Sequence, residues 1–243
     1  MSSVVVDKLK TFDIYLEHER SKEIAITDLL NEEKCLSFLQ KQMIEIKAPN
    51  LSVTASMLLK RYAYLVVSST IYSMVEFNCA PYFPVDACGL TNERTLCIRP
   101  DICHWQEFNN MEREKWQEKV LYDLFALHIT PVIEILLKVA RVPSSILWEN
   151  TAIRINRIYR NALKDNIDSV KTKRLNSDFN FLKSASGNLF GLKENPLQSY
   201  LKIGEELRLN PYRKTCCMYC KLEKDIEEIS YCNDCPIKIA LEK

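Results

Sequence analysis

Apolar residues recur at three- and four-residue steps through most of the first eighty positions, the spacing that puts them on one face of a helix. This periodicity predicts helices over Val6–Arg20 and Asp28–Ile46, with Thr27 as the cap of the second. The longest periodic run, Ser52–Phe77, stops ahead of Pro81 and Pro84. There the pattern changes: Val85–Cys88 and Thr95–Arg99 flank a Gly89-Leu-Thr-Asn-Glu loop suited to a short hairpin. Helical spacing resumes over Met111–Ala140, where Pro131 should kink or split the helix near Thr130. Pro143-Ser144-Ser145 signals the start of another helix, Ile146–Lys164. Asp165–Asn180 fits either a helix or a loop, and Asn195-Pro196 is expected to open a short helix. The expected fold is mainly α with a small β-hairpin element. It forms one compact helical domain over 1–210, with the β element near 83–100, followed by a cysteine-rich segment over 211–243.

Composition narrows the chemistry. The formal net charge is +1, which argues against a nucleic-acid partner. There are four glycines and no glycine-rich phosphate loop or dinucleotide fingerprint. No serine–histidine–acid pattern emerges from three histidines, and paired carboxylates such as Glu32-Glu33 and Glu227-Glu228 read as solvent-facing charge. The apolar stretches Tyr64–Val75 and Leu124–Val142 are interrupted by polar residues, so no membrane span is expected, with peripheral association left open. The N-terminus lacks the basic start and apolar core of a signal peptide. Ten cysteines without an export signal then imply reduced thiols, a metal site and a cytoplasmic location.

Five of the ten cysteines fall within 20 residues: Cys216, Cys217, Cys220, Cys232 and Cys235. Free thiols in an apolar tail are a poor reading, because charged residues are interleaved between the two clusters. Zinc held by Cys217-x-x-Cys220 and Cys232-x-x-Cys235 is a second reading, which leaves Cys216 over. An iron–sulfur cluster is the third; its thiolates would gain from Arg213, Lys214, Lys221 and Lys238 nearby. Cys35, Cys79, Cys88, Cys97 and Cys103 read as structural, His128 as a satisfied core residue, and Trp105, Trp116 and Trp148 as core or interface anchors. Arg154, Arg157 and Arg160, with Lys164 beyond, share one broad helix face in the most basic region of the chain, Arg141–Lys183. That face could attract an anionic ligand or could be ordinary solvated surface.

Taken together, Arg213-Lys-Thr-Cys-Cys, Cys232-Asn-Asp-Cys235-Pro236, Ile146-Leu147-Trp148-Glu149-Asn150 and Ser56-Met-Leu-Leu-Lys60-Arg61-Tyr62-Ala63 resemble the FhuF family of ferric-siderophore reductases. The resemblance implies a 2Fe–2S cluster on Cys216, Cys217, Cys232 and Cys235. It also implies transfer of one electron to siderophore-chelated Fe(III), so that Fe(II) is released. Two departures stand out: 14 residues separate Cys217 from Cys232 where the family pattern has ten, and Cys220 is additional, an alternative ligand. With no flavin or nicotinamide motif in the chain, the electrons would come from a separate donor, ferredoxin-like or a flavin/NAD(P)H reductase. Arg154 and Arg157 are the expected contacts to the siderophore. Two rival functions are a zinc-stapled helical binding module without redox activity and a siderophore-biosynthesis-related protein. The length of the chain and the absence of an ATP-binding motif weigh against the second rival.

Overall fold

A computed structural model describes residues 3–109, 112–164, 168–209, 212–223 and 231–238, with the backbone alone at 3–6 and 207–209. It is 60% helical with a small β component, as the pattern of apolar positions predicts. Helix α1 (Ser3–Lys10) is shorter than expected. Asp13 adopts a left-handed backbone (φ 58°), which ends the helical path. The next residues form strand β1 (Ile14–Leu16), which pairs in parallel with β5 (Leu96–Ile98). The second predicted helix is divided into α2 (Ile26–Leu29) and α3 (Glu32–Glu45). Asn31, not Thr27, is the cap of α3: its side chain accepts from the backbone N–H groups of Glu33 and Lys34.

The expected hairpin is present as β4 (Cys88–Leu90) against β5, within a four-stranded sheet of order β1-β5-β4-β2 that includes β2 (Ile24–Ala25). A second, two-stranded sheet joins β3 (Cys79–Tyr82) to β6 (His104–Glu107). The sequence pattern missed most of these strands because two to four residues are too few to display alternation.

The core is built by α4 (Leu51–Ala63), α5 (Ser69–Phe77), α6 (Arg113–Leu124), α7 (Thr130–Ala140), α8 (Ser144–Lys164) and α9 (Ser169–Ser184). The undecided segment is therefore helical from Ser169, where Asp168 caps α9 through Val170 N–H; positions 165–167 lie outside the described residues. Two π-helical turns interrupt this core, Tyr64–Ser68 between α4 and α5 and Phe125–Ile129 between α6 and α7. The second falls just ahead of Pro131, where a break was expected. Between these turns, Tyr62 Oη and His128 Nε2 lie 2.5 Å apart, and His128 Nδ1–H donates to Phe83 O. Since a carbonyl only accepts, Nδ1 carries the proton and the neutral ring accepts from Tyr62. Burial holds the His128 pKa down, from 6.5 to about 4.

The helical run Arg113–Ala140 is long and apolar enough, by length and composition, to cross a bilayer, but 61% of its most apolar window is buried against the rest of the chain. It behaves as a core helix. No helix forms at Asn195; its side chain instead accepts from Leu197 N–H and donates to Leu182, Lys183 and Ala185 carbonyls, tying down the end of α9. A last helix, α10 (Gly204–Leu209), precedes the cysteine segment.

The pairing of α4 with α8 positions the site. Asn150 Nδ2 donates to Ser56 O (3.0 Å), and one turn along each helix Arg154 Nη2 donates to Lys60 O (2.9 Å). The helices therefore run in the same direction, side by side. Phe190 anchors the start of α8 between Phe125 (centroids 4.9 Å apart) and Trp148 (6.1 Å, edge-on). Losing such a buried ring costs about 3–5 kcal/mol.

Candidate metal centre

The first residues of α8 should be apolar on their inward side, yet Glu149 and Asn150 are buried there beside Trp148. Buried polar groups need partners, and these two find theirs in the chain that leads into the cysteines. The Glu149 carboxylate accepts from Lys214 N–H (2.6 Å), Thr215 N–H (2.7 Å) and the Thr215 hydroxyl (2.5 Å), with Arg213 Nε at 3.6 Å. Asn150 Oδ1 accepts from Arg213 Nη1 at 2.7 Å. Ser56, already joined to Asn150, donates its hydroxyl to Cys217 O at 2.9 Å. Below the cysteines, Val53 and Met57 of α4 pack with Cys217, Met218, Tyr219 and Leu222 as a small apolar cushion. The 213–217 segment is thus clamped from α8 and α4 at once.

Met218 adopts a left-handed backbone (φ 65°), which turns consecutive N–H groups toward sulfur. Its own N–H reaches Cys216 Sγ at 3.3 Å, and Tyr219 N–H bonds to Cys217. Cys217 and Cys232 sulfurs lie 3.5 Å apart, and Lys60 Nζ sits 3.5 Å from Cys217 Sγ. The hydrogen bond with Cys232 is the main force holding the Cys217 thiol down to about 5, against the opposing effect of burial; Lys60 adds to it. Cys232 is correspondingly pushed up by the same shared proton. Cys220 hydrogen-bonds with Cys216 and feels Cys235; burial and these neighbours raise its pKa.

This donor set suits a thiolate-bound metal centre. Two sulfurs each about 2.3 Å from one tetrahedral metal lie about 3.8 Å apart, close to the Cys217–Cys232 separation of 3.5 Å. The thiols converge in pairs, Cys217 with Cys232 and Cys216 with Cys220, with Cys235 buried alongside. The Cys217–Cys232 pair is of the kind that one iron of a two-iron rhomb takes, since each iron binds two thiolates; the other iron would draw on Cys216, Cys220 and Cys235. Among the described residues, no three ligand-type side chains close on a single ion. Arg213 Nη2 is buried with no partner among them, leaving one donor beside the sulfurs.

A cleft of about 470 Å³ opens beside Cys232. Arg154 and Arg157 lie in its wall, with Lys60, Arg160, Arg213, Tyr219 and Asp234. Arg157 and Arg160 are exposed, whereas Arg154 is half-buried and stacks on Tyr64 (5.4 Å). Burial, then Arg157, lowers the Arg154 pKa. Periodicity had singled out Arg154 and Arg157, but not Lys60 or Arg213 as cleft residues. The signal that could have exposed the clamp was the Glu149-Asn150 pair on an otherwise apolar helix face. The remaining cysteines are placed apart: Cys35, Cys88, Cys97 and Cys103 are buried and Cys79 is half-buried, within the α and β core.

No curated protein matches the chain. Residues 102–214 match the family model described as ferric iron reductase FhuF-like transporter. The matched region includes α8, with Glu149, Asn150, Arg154 and Arg157, and runs through Arg213 and Lys214, stopping just short of the cysteines. This match over residues 102–214 supports assignment to the FhuF-like family and a role related to ferric iron reduction.

Proposed function

We propose that the protein is a cytoplasmic ferric-siderophore reductase with its redox centre in the cysteine segment. The observation that carries this reading is the shared wall: Cys232, paired with Cys217, lines the same cleft as Arg154 and Arg157. A 2Fe–2S cluster, when bound, would supply one electron at a time at a tunable potential. The residues that would hold it are Cys216, Cys217, Cys232 and Cys235, with Cys220 as the alternative to Cys216 or Cys217.

The chain's own groups then have separable tasks. Glu149, Asn150 and Ser56 fix the 213–217 backbone so that the thiols stay in place. Lys60 and the N–H groups of Met218 and Tyr219 place positive charge and hydrogen bonds at sulfur, which favours the more negative oxidation level. Arg157, exposed at the cleft, draws in an anionic chelate. In the substrate, hard anionic oxygens favour Fe(III), so adding an electron weakens the chelate and lets Fe(II) leave. A separate ferredoxin-like protein or flavin reductase would return the electron.

The test is stopped-flow reduction of ferric siderophores by the chemically reduced protein. Arg157→Glu should slow the second-order rate for an anionic chelate, more at low salt than at high, with the visible spectrum unchanged. Equal rates for both proteins at every salt would place the substrate elsewhere.

A further inference from the structure

The cleft has a charge composition that a neutral ligand does not need. Among the described residues, five cationic side chains line it, Lys60, Arg154, Arg157, Arg160 and Arg213, against one carboxylate, Asp234. Neither exposed guanidinium, Arg157 nor Arg160, has an ion-pair partner among the described residues. Arg213 is already paired with the buried Glu149 carboxylate and Lys60 faces Cys217 Sγ, which leaves Arg154, Arg157 and Arg160 to meet a ligand. Holding like charges together in a concave site is unfavourable until an anion enters.

The type of cation matters as well as the number. Four of the five are guanidiniums, whose planar fork matches a carboxylate with two parallel hydrogen bonds. Asn161 and Asn233, both exposed on the same wall, add amides that bond hydroxyl or carbonyl oxygen. Aromatic surface is scarce: of the two tyrosines, Tyr219 is already covered by Lys60, 4.9 Å from its ring centroid. An aryl-rich chelate would find few faces to stack on.

We infer that the cleft selects ferric chelates bearing free carboxylates and net negative charge, of the α-hydroxycarboxylate type, over neutral hydroxamate chelates. This rests on the proposed reductase reading for its setting beside the cysteines. The charge and the guanidinium geometry carry the choice of class.

Gallium(III) citrate and the neutral gallium(III) complex of desferrichrome test binding without redox chemistry, using the full chain with its metal centre reconstituted. At about 10 mM salt, where the Debye length is about 30 Å, titration calorimetry should give gallium citrate an affinity at least about tenfold tighter. At about 1 M salt, where that length falls to about 3 Å, the preference should collapse. Arg157→Glu/Arg160→Glu should abolish it too, while leaving desferrichrome affinity and the melting temperature unchanged, since both side chains are exposed. Equal or tighter binding of the neutral complex would overturn the inference, as would equal binding of metal-free citrate. Reduction of the two iron complexes is followed in parallel. If both are reduced equally and bound equally, the charge preference falls and the reductase reading stands. If gallium citrate is selected but neither iron complex is reduced, the reductase reading falls and the cleft assignment stands.

Discussion

Replacing Glu149 with Gln removes one negative charge from the root of the cysteine segment while keeping the shape of the side chain. Glu149 and Arg213 side chains are each only 2% exposed, so solvent cannot take over their roles. The carboxylate accepts three hydrogen bonds, from Lys214 N, Thr215 N and Thr215 Oγ1. A hydrogen bond to a charged group contributes about 1.5–3 kcal/mol, and breaking a buried ion pair by removing one partner costs about 3–5 kcal/mol. The amide keeps one accepting oxygen but turns an NH2 toward other donors, and the Arg213 charge is left with the neutral acceptors Asn150 Oδ1 and Thr215 O. Because these contributions overlap, about 3 kcal/mol is the expected net loss. It falls on docking of 213–217, not on the distant core, so local opening should become roughly a hundredfold more frequent. The assay is the rate at which a strong chelator bleaches the reconstituted protein, alongside hydrogen exchange at Lys214 and Thr215. Glu149→Gln should raise both rates by about that factor, with the main unfolding transition barely moved. Unchanged bleaching and exchange would refute the clamp.

Other outcomes follow from the same geometry. Cys232→Ser and Cys235→Ser should each abolish metal loading, whereas Cys220→Ser should retain it; loss in Cys220→Ser with retention in Cys216→Ser would make the ligand set Cys217, Cys220, Cys232 and Cys235. Lowering the pH should destabilise the fold through His128. Its folded pKa is depressed from 6.5 to about 4, so its neutral form is favoured fully above pH 6.5. As pH falls, the unfolded chain takes the proton first, and about 3 kcal/mol should be lost by pH 4. Urea midpoints across that range check this, and the same slope in His128→Gln would contradict it. Arg154→Glu should lower the melting temperature as well as chelate binding, since its guanidinium bonds Lys60 O and stacks on Tyr64; an unchanged melting temperature would refute that dual role.

The long helices were legible because Ser52–Phe77 and Ile146–Lys164 carry enough turns for a 3.6-residue period to register. The strands were not, since β1 and β2 are held by partners distant in sequence, and neither three residues nor two can display a period. Thr27 satisfied the cap rule locally, but Asn31 lies where the chain actually turns. Arg154 and Arg157 were visible as a stripe of charge. Lys60 was not, because only the α4–α8 packing and the fold of the cysteine segment bring it to Cys217. Glu149 stood within a quoted segment without a role of its own; its purpose depends on residues more than sixty positions away.

The most direct test of the account is metal and sulfide analysis of the protein after anaerobic reconstitution. A red-brown protein with two irons and two acid-labile sulfides per chain, bleaching on reduction, is the predicted result. One zinc per chain with no sulfide, in colourless protein that dithionite leaves unchanged, would contradict it.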